Sequence, residues 1–108
     1  MNKFEAVLLF NPDLTVANLN KLESLFKEQL LANSGSIIDQ EDWGLRDLTY
    51  NIHSNKKAFY KYYQLEIESS KVQNIKKNLN QKEQIMRYLF IKVDNHEILP
   101  TKLLKQEG

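Results

Sequence analysis

The stretch WGLRDLTYNIHSNKKAFYKYYQLEI, residues 43–67, holds six of the chain's eleven aromatic residues and reads as one long hairpin. Its two halves are rich in β-branched and aromatic side chains and flank His-Ser-Asn-Lys, a polar link of hairpin length. Extended back to Ser36, the first half is a strand over SIIDQEDWGLRDLTYNI, and KAFYKYYQLEIE makes the next. Both exceed the roughly five to six residues usual for a strand, so their far ends should project beyond the sheet or bend at a bulge. Gly44 is the expected bend.

Ahead of the hairpin, Lys3 to Phe10 is almost continuously apolar and ends in the turn residues Asn-Pro-Asp-Leu, which predicts a mostly buried first strand. Leu19, Leu22, Phe26 and Leu30 then recur at three- and four-residue steps, with Thr15 as a cap and Gly35 as a stop, and predict an amphipathic helix. Beyond the hairpin, SSKVQNIKKNLNQ places Val72, Ile75 and Leu79 on one stripe, with Ser70 and Gln73 spaced as a capping box. QIMRYLFIKV reads as a last strand. The order β-α-β-β-α-β, with right-handed crossovers, predicts an α+β fold of the ferredoxin-like kind: a four-stranded antiparallel sheet with two helices on one face. Residues 1–94 are expected to form that single domain and 95–108 a short C-terminal tail with one small apolar island.

Such a sheet leaves its second face open. Alternation puts Ala6, Leu8 and Phe10 under the helices and Glu5, Val7 and Leu9 on the other side, with Tyr88 and Phe90 inward against Arg87, Leu89 and Ile91. In the third strand the expected phase is Tyr60 and Tyr62 inward, Phe59, Lys61 and Tyr63 outward, with Leu65 and Ile67 returned to the core by a bulge near Gln64. Val7, Leu9, Phe59, Tyr63, Leu89 and Ile91 then make an outward apolar patch of the sort that marks a partner surface on a protein in water.

Composition and motifs exclude several chemistries. A hydrophobic fraction of 42% with 27% charged residues is globular, and a net charge of +1 neither demands nor forbids a nucleic-acid partner. The absence of cysteine removes disulfides and thiolate catalysis and fits a reducing cytosol. No signal-peptide core is present, and no segment approaches the ~20 apolar residues of a membrane helix. His53, on the hairpin tip, and His96, in the tail, have no second ligand at metal spacing and are expected to be surface histidines. Three glycines build no phosphate loop, no Ser-His-Asp order or paired buried carboxylates stand out, and Glu41 and Asp42 are expected to be solvated. The turn after the first strand, FNPDLT, also lacks the cation with which acylphosphatases of this fold hold phosphate. The chain is therefore read as a non-enzyme without cofactor, metal or small-molecule substrate.

What remains is the distribution of cations. Lys56, Lys57 and Lys61 follow His53 on the hairpin arm, Arg46 lies lower on the second strand, and Arg87 and Lys92 on the fourth, all near aromatic rings. Lys and Arg give sequence-independent affinity for phosphate, and rings or guanidinium planes stack on unpaired bases, so RNA is the expected ligand. Lys76 and Lys77, opposite the apolar stripe of the second helix, read as a solvated face.

With FEAVLLFNPDL, WGLRDLTYNI, KKAFYKYYQLEI and IMRYLFIKV in register and no long insertion, the chain resembles the bacterial small-subunit ribosomal protein S6 family over roughly residues 1–94. Gly44-Leu45-Arg46 followed by Leu48-x-Tyr50-x-Ile52 ahead of an aromatic strand is the most specific part of the match. Departures are Asp47 where a basic or neutral polar residue is frequent, Asn51 where proline is, and a tail without the acidic run of some members. The resemblance implies a cytoplasmic structural protein of the ribosome that binds the central domain of small-subunit ribosomal RNA as a pair with ribosomal protein S18. It implies RNA contacts from Lys3, Arg46, His53, Lys56, Lys57, Lys61, Arg87 and Lys92, and a protein dock at Val7, Leu9, Tyr50, Phe59, Tyr63, Leu89 and Ile91 with the tail. Two other readings share the strand order. An RNA-recognition-motif binder of single strands wants a glycine and an aromatic where Ala58 and Lys61 stand. A ferredoxin-like regulatory dimer would pair through the open face, but no glycine-rich loop is there to hold a small ligand.

Overall fold

The computed structural model describes residues 1–52 and 54–99. The chain runs β1 (Asn2–Phe10), α1 (Val16–Ala32), β2 (Ser36–Ile52), β3 (Asn55–Ile67), a 3-10 turn (Ser69–Lys71), α2 (Val72–Asn80) and β4 (Ile85–Val93). The sheet is antiparallel with order β2-β3-β1-β4, as the β-α-β-β-α-β reading requires. Asn11 starts the turn after β1 by accepting the Asp13 amide on its own side chain at 2.9 Å, while its N–H donates to the Gln84 carbonyl at 2.8 Å.

Alternation in β1 packs Phe4, Ala6, Leu8 and Phe10 against Leu19, Phe26 and Leu30 of α1 and Val72, Ile75 and Leu79 of α2. Burying each large side chain of this group is worth about 1.5–3 kcal/mol. Tyr88 and Phe90 of β4 join the same core from its edge.

The phase of β3 differs from the sequence expectation. Its pairing with β1 is continuous from Asn2–Ile67 to Phe10–Phe59; the register shift opposite Gln64 lies in β2, between Ile37 and Asp39, and leaves the phase of β3 unbroken. Leu65 and Ile67 are core residues, so unbroken alternation puts Tyr63, Lys61 and Phe59 on the helix side too and sends Tyr60, Tyr62 and Gln64 to the open face. Tyr63 is only 1% exposed, its ring 5.0 Å from Phe26. A bulge would have cost ladder hydrogen bonds in a central strand; the regular strand costs only the burial of one lysine, which carboxylates neutralise.

Two helix ends also depart from simple expectation. Thr15 caps α1, accepting the Asn18 N–H at 3.2 Å, as expected. At the other end the left-handed position belongs to Ser34, φ 60°, and not to Gly35. Ser34 and Gly35 donate to the Leu31 and Leu30 carbonyls at 3.0 and 2.7 Å, a Schellman closure. Gly35 is needed for a different reason: a Cβ there would sit 3.1 Å from the Glu66 carbonyl and from Ile67. The capping box at Ser70 is not formed; the chain enters α2 through the 3-10 turn with no side-chain cap.

The hairpin bends where the sequence places the bend. Gly44 has φ 75°, and the β2–β3 register skips Trp43 between Asp42 and Gly44. A further irregularity between Asp47 and Ile52 turns the tip back, so Ile52, Ala58 and Met86 form a small buried cluster with Leu9, Leu48 and Tyr60 on the open face. Gly35→Ala should cost about 1–3 kcal/mol by forcing β3 away, whereas Ser34→Gly should add up to about 1 kcal/mol by relieving the left-handed backbone; urea denaturation of the two variants checks both signs.

Candidate nucleic-acid and partner interface

The open face is built by Lys3, Glu5, Val7 and Leu9 of β1, flanked in register by Glu66, Gln64, Tyr62 and Tyr60 of β3 and by Val93, Ile91, Leu89 and Arg87 of β4. Leu89 and Ile91 are 55% and 49% exposed, and Val7 between them and β3 is half-buried. Leu9 lies under the hairpin tip. Tyr50, 82% exposed, stands on the arm beside a cleft of about 360 Å³ that Leu9, Leu48, Ile52, Tyr60 and Arg87 also line. Phe59 and Tyr63, expected on this face, lie on the other side of the sheet in contact with the helical core, because the β3 phase is opposite to the expected one.

The bulge at Gly44 has a direct consequence for this face. It turns the Trp43 ring onto Tyr62, stacked at 5.2 Å and 8° between planes, and the Arg46 guanidinium lies 5.9 Å from the indole centroid. The indole N–H donates to Glu41 at 3.0 Å, and Arg46 Nε to the Trp43 carbonyl at 3.0 Å. Glu41 is therefore a structural partner of the stack, where the sequence suggested a solvated carboxylate. Tyr62 is buried beneath Trp43; burial pushes its phenol well above the usual value, a hydrogen bond from Gln64 opposes the rise, and the nearby Glu5 and Glu97 carboxylates add to it.

The cations separate into distinct groups. Lys56 and Lys57 are exposed on the arm, Lys57 loosely paired with Asp47 at 3.6 Å. Arg87 is exposed at the start of β4, opposite Leu9. Lys3 lies on the open face at the far end of β1, and Lys92, paired with Phe4, on the helix side of the β4 edge. His53 falls outside the described residues. Lys61 is not an arm cation: its side chain, 12% exposed, sits on the helix side between Asp42 at 2.9 Å and Glu23 at 3.5 Å, and Tyr63 donates its hydroxyl to the same Glu23 at 2.8 Å. Burial by itself would raise the Asp42 carboxyl, but the Lys61 hydrogen bond, the Gly44 N–H at 2.8 Å and the Lys61 charge outweigh it and hold the group below its ordinary 3.8.

The tail also reaches this face. His96, expected on the surface, is half-buried, and its Nε2 lies 3.2 and 3.0 Å from the Phe4 and Leu65 carbonyls, so that nitrogen carries the proton. Sequence reading could not find this contact, because its acceptors are backbone atoms of a ladder that exists only after folding. Trp43 and Gln64 escape it for a related reason: each is placed by the bulge or the β3 phase. Among the described residues no group of three His, Asp or Glu side chains could hold a metal ion, and no helix is long and apolar enough to cross a membrane.

A split β-α-β sheet with one face in the core and the other presenting apolar side chains beside exposed cations makes this a protein of the ferredoxin-like fold. The ribosomal protein S6 family model matches residues 3–92, and the chain belongs to that family. The chain is similar to the small ribosomal subunit protein bS6 of Rickettsia canadensis, 34% identical over 108 residues that cover 100% of this chain and 89% of that one. It is also similar to the bS6 protein of Azorhizobium caulinodans, 31% identical over 106 residues covering 98% and 71%. The crystal structure of 30S ribosomal protein S6 from Thermotoga maritima shares the fold, with a TM-score of 0.81 at 17% identity over 98% of this chain and 94% of that one. The family is one of structural proteins of the small ribosomal subunit, in the cytoplasmic ribosome, and not of enzymes.

Removing Lys61 leaves Glu23 and Asp42 uncompensated beside a buried tyrosine. Lys61→Ala should therefore lower stability by about 1–2 kcal/mol, less than a fully buried pair because Asp42 is largely exposed. The wild-type contribution of Asp42 should be complete above its ordinary value and fade as pH falls through the lowered one. Acid titration of thermal stability should show that loss in wild type and its absence in Lys61→Ala.

Proposed function

We propose that this chain binds the central domain of small-subunit ribosomal RNA together with ribosomal protein S18 during assembly of the subunit. The observation that carries the reading is the adjacency of an exposed apolar strip, Val7, Leu89 and Ile91, to exposed cations at one end of the same sheet, Arg87 with Lys56 and Lys57 on the arm. Apolar area buried against a protein partner contributes roughly 25 cal/mol per Å², which surface lysines cannot supply. The cations contribute phosphate contacts whose strength falls with salt. Arg46, held over Trp43, adds a planar cation beside the arm, and Lys3 and Lys92 extend the positive rim at the other end of β1 and β4. Binding of the pair stabilises an RNA junction, and no bond is made or broken.

A titration of a central-domain RNA fragment with this protein, alone and with S18, at several salt concentrations tests the proposal. The expected result is tight, salt-sensitive binding only when both proteins are present; equal binding to unrelated single strands without S18 would favour a general RNA-binding module. Replacing Lys56 and Lys57 by Ala should reduce the salt slope by about one for each phosphate left without its lysine. Leu89→Asp should abolish pairing with S18 while the circular dichroism spectrum and melting transition stay as in wild type, since the side chain is outside the core.

A further inference from the structure

The stretch Asp94–Leu99 returns across the open face after β4, and its polar contacts are with the backbone and side chains of the two central strands. His96 Nε2 donates to the Phe4 and Leu65 carbonyls, which belong to a directly paired β1–β3 couple. One residue on, the Glu97 peptide is held from both sides: its N–H donates to the Glu5 carboxylate at 3.1 Å, and its carbonyl accepts from the Gln64 amide at 2.6 Å. Gln64 also donates to the Tyr62 hydroxyl at 3.2 Å, which ties the tail to the Trp43–Tyr62 stack. Gln64 is 4% exposed, the one buried polar side chain among the described residues, although it points to the face that the helices do not cover. The tail supplies cover at Gln64, and Trp43 covers the neighbouring Tyr62. Both of these bonds to Glu97 are made by its main-chain N–H and C=O groups.

Ile91 stands opposite Glu5 in the β1–β4 register, and Val7 is the next residue on the same face. The strap, held at Glu5, therefore borders the Ile91 end of the apolar strip that the proposed partner would bury. A stable protein interface takes roughly 800 Å² from each partner, more than Val7, Leu89 and Ile91 can provide, and where it extends past Ile91 toward Glu5 it meets the ground the strap occupies.

We infer that Asp94–Leu99 is an autoinhibitory strap: in the free protein it covers the Glu5–Gln64 end of the open face, and protein-partner binding requires its release. This rests on the assignment of the open face as the S18 dock. A partner that meets only the strap-open form binds with an affinity reduced by the fraction of molecules that are open. With roughly nine in ten free molecules closed, the affinity for the partner falls about tenfold.

The test uses the full-length chain with His96→Ala and Glu97→Pro combined, which removes the ring donor and the clamped N–H without touching the sheet. Two quantities are read: amide hydrogen exchange of the strap in wild type and affinity for S18 by calorimetry, with Leu89→Asp as the control for the face itself. The expected result is that the Glu97 amide is protected in wild type and that the double variant binds S18 about tenfold more tightly. An unprotected Glu97 amide in wild type overturns the strap. Unchanged or weaker S18 affinity in the double variant, with Leu89→Asp abolishing binding, overturns the inhibition and leaves the dock in place. Failure of both wild type and double variant to bind S18 overturns the dock and the inhibition with it.

Discussion

Paired in the middle of the sheet, the residues of β3 must alternate between core and open face, and the phase of that alternation governs both sides of the molecule. Leu65 and Ile67 are buried with no exposure at all. A slip of one residue would send both to water and drive Gln64 and Glu66 under the helices, a reversal no local adjustment could offset. Once that phase is set, Tyr63 must lie beneath α1 and finds Phe26 and Glu23 there. Lys61 must follow it, and two carboxylates converge on the ammonium. On the opposite side Tyr62 and Gln64 are left on a face with no helices, and the fold covers them with Trp43 and with the tail.

Gly44 converts that backbone constraint into a surface. Its positive φ lets one extra residue into β2, and that residue is the tryptophan that stacks on Tyr62 and carries Arg46 with it. The same region turns the hairpin tip back so that Ile52 is buried beside Met86. The open face is thus divided: a hairpin tip over Leu9 at one end, a tail over Gln64 at the other, and between them Val7, Leu89 and Ile91 facing outward. Charge follows the division, with Arg87 and the arm lysines gathered toward the tip.

Much of this is legible from the chain alone. Element order, the helical stripes of Leu19, Phe26 and Leu30 and of Val72, Ile75 and Leu79, and the Gly44 bend all follow from periods and turn residues that are local in sequence, and the resemblance to the S6 family rests on the same segments. The errors have a common physical origin. In Phe59–Tyr63 apolar and aromatic residues occupy both alternating sets, so period-two reading has no contrast to work with and settles on the wrong set. Only Leu65 and Ile67, together with the continuous β1 register, resolve it. The ion pairs of Lys61, the double acceptor of His96 and the 3-10 entry to α2 depend on groups brought together by tertiary structure. Gly35 reads as a helix stop, while its real requirement is the closeness of β3, a contact between residues over thirty positions apart.

On this reading the two faces of the sheet have separate tasks, core on one side and partner on the other. Methyl-labelled protein bound to S18, observed by cross-saturation in the NMR spectrum, puts that division to the test. Saturation is expected at the methyl groups of Val7, Leu89 and Ile91, with Leu8, Leu65 and Ile67 silent. Saturation centred instead on residues outside the open face, at Val16, Leu31 or Leu45, would contradict it.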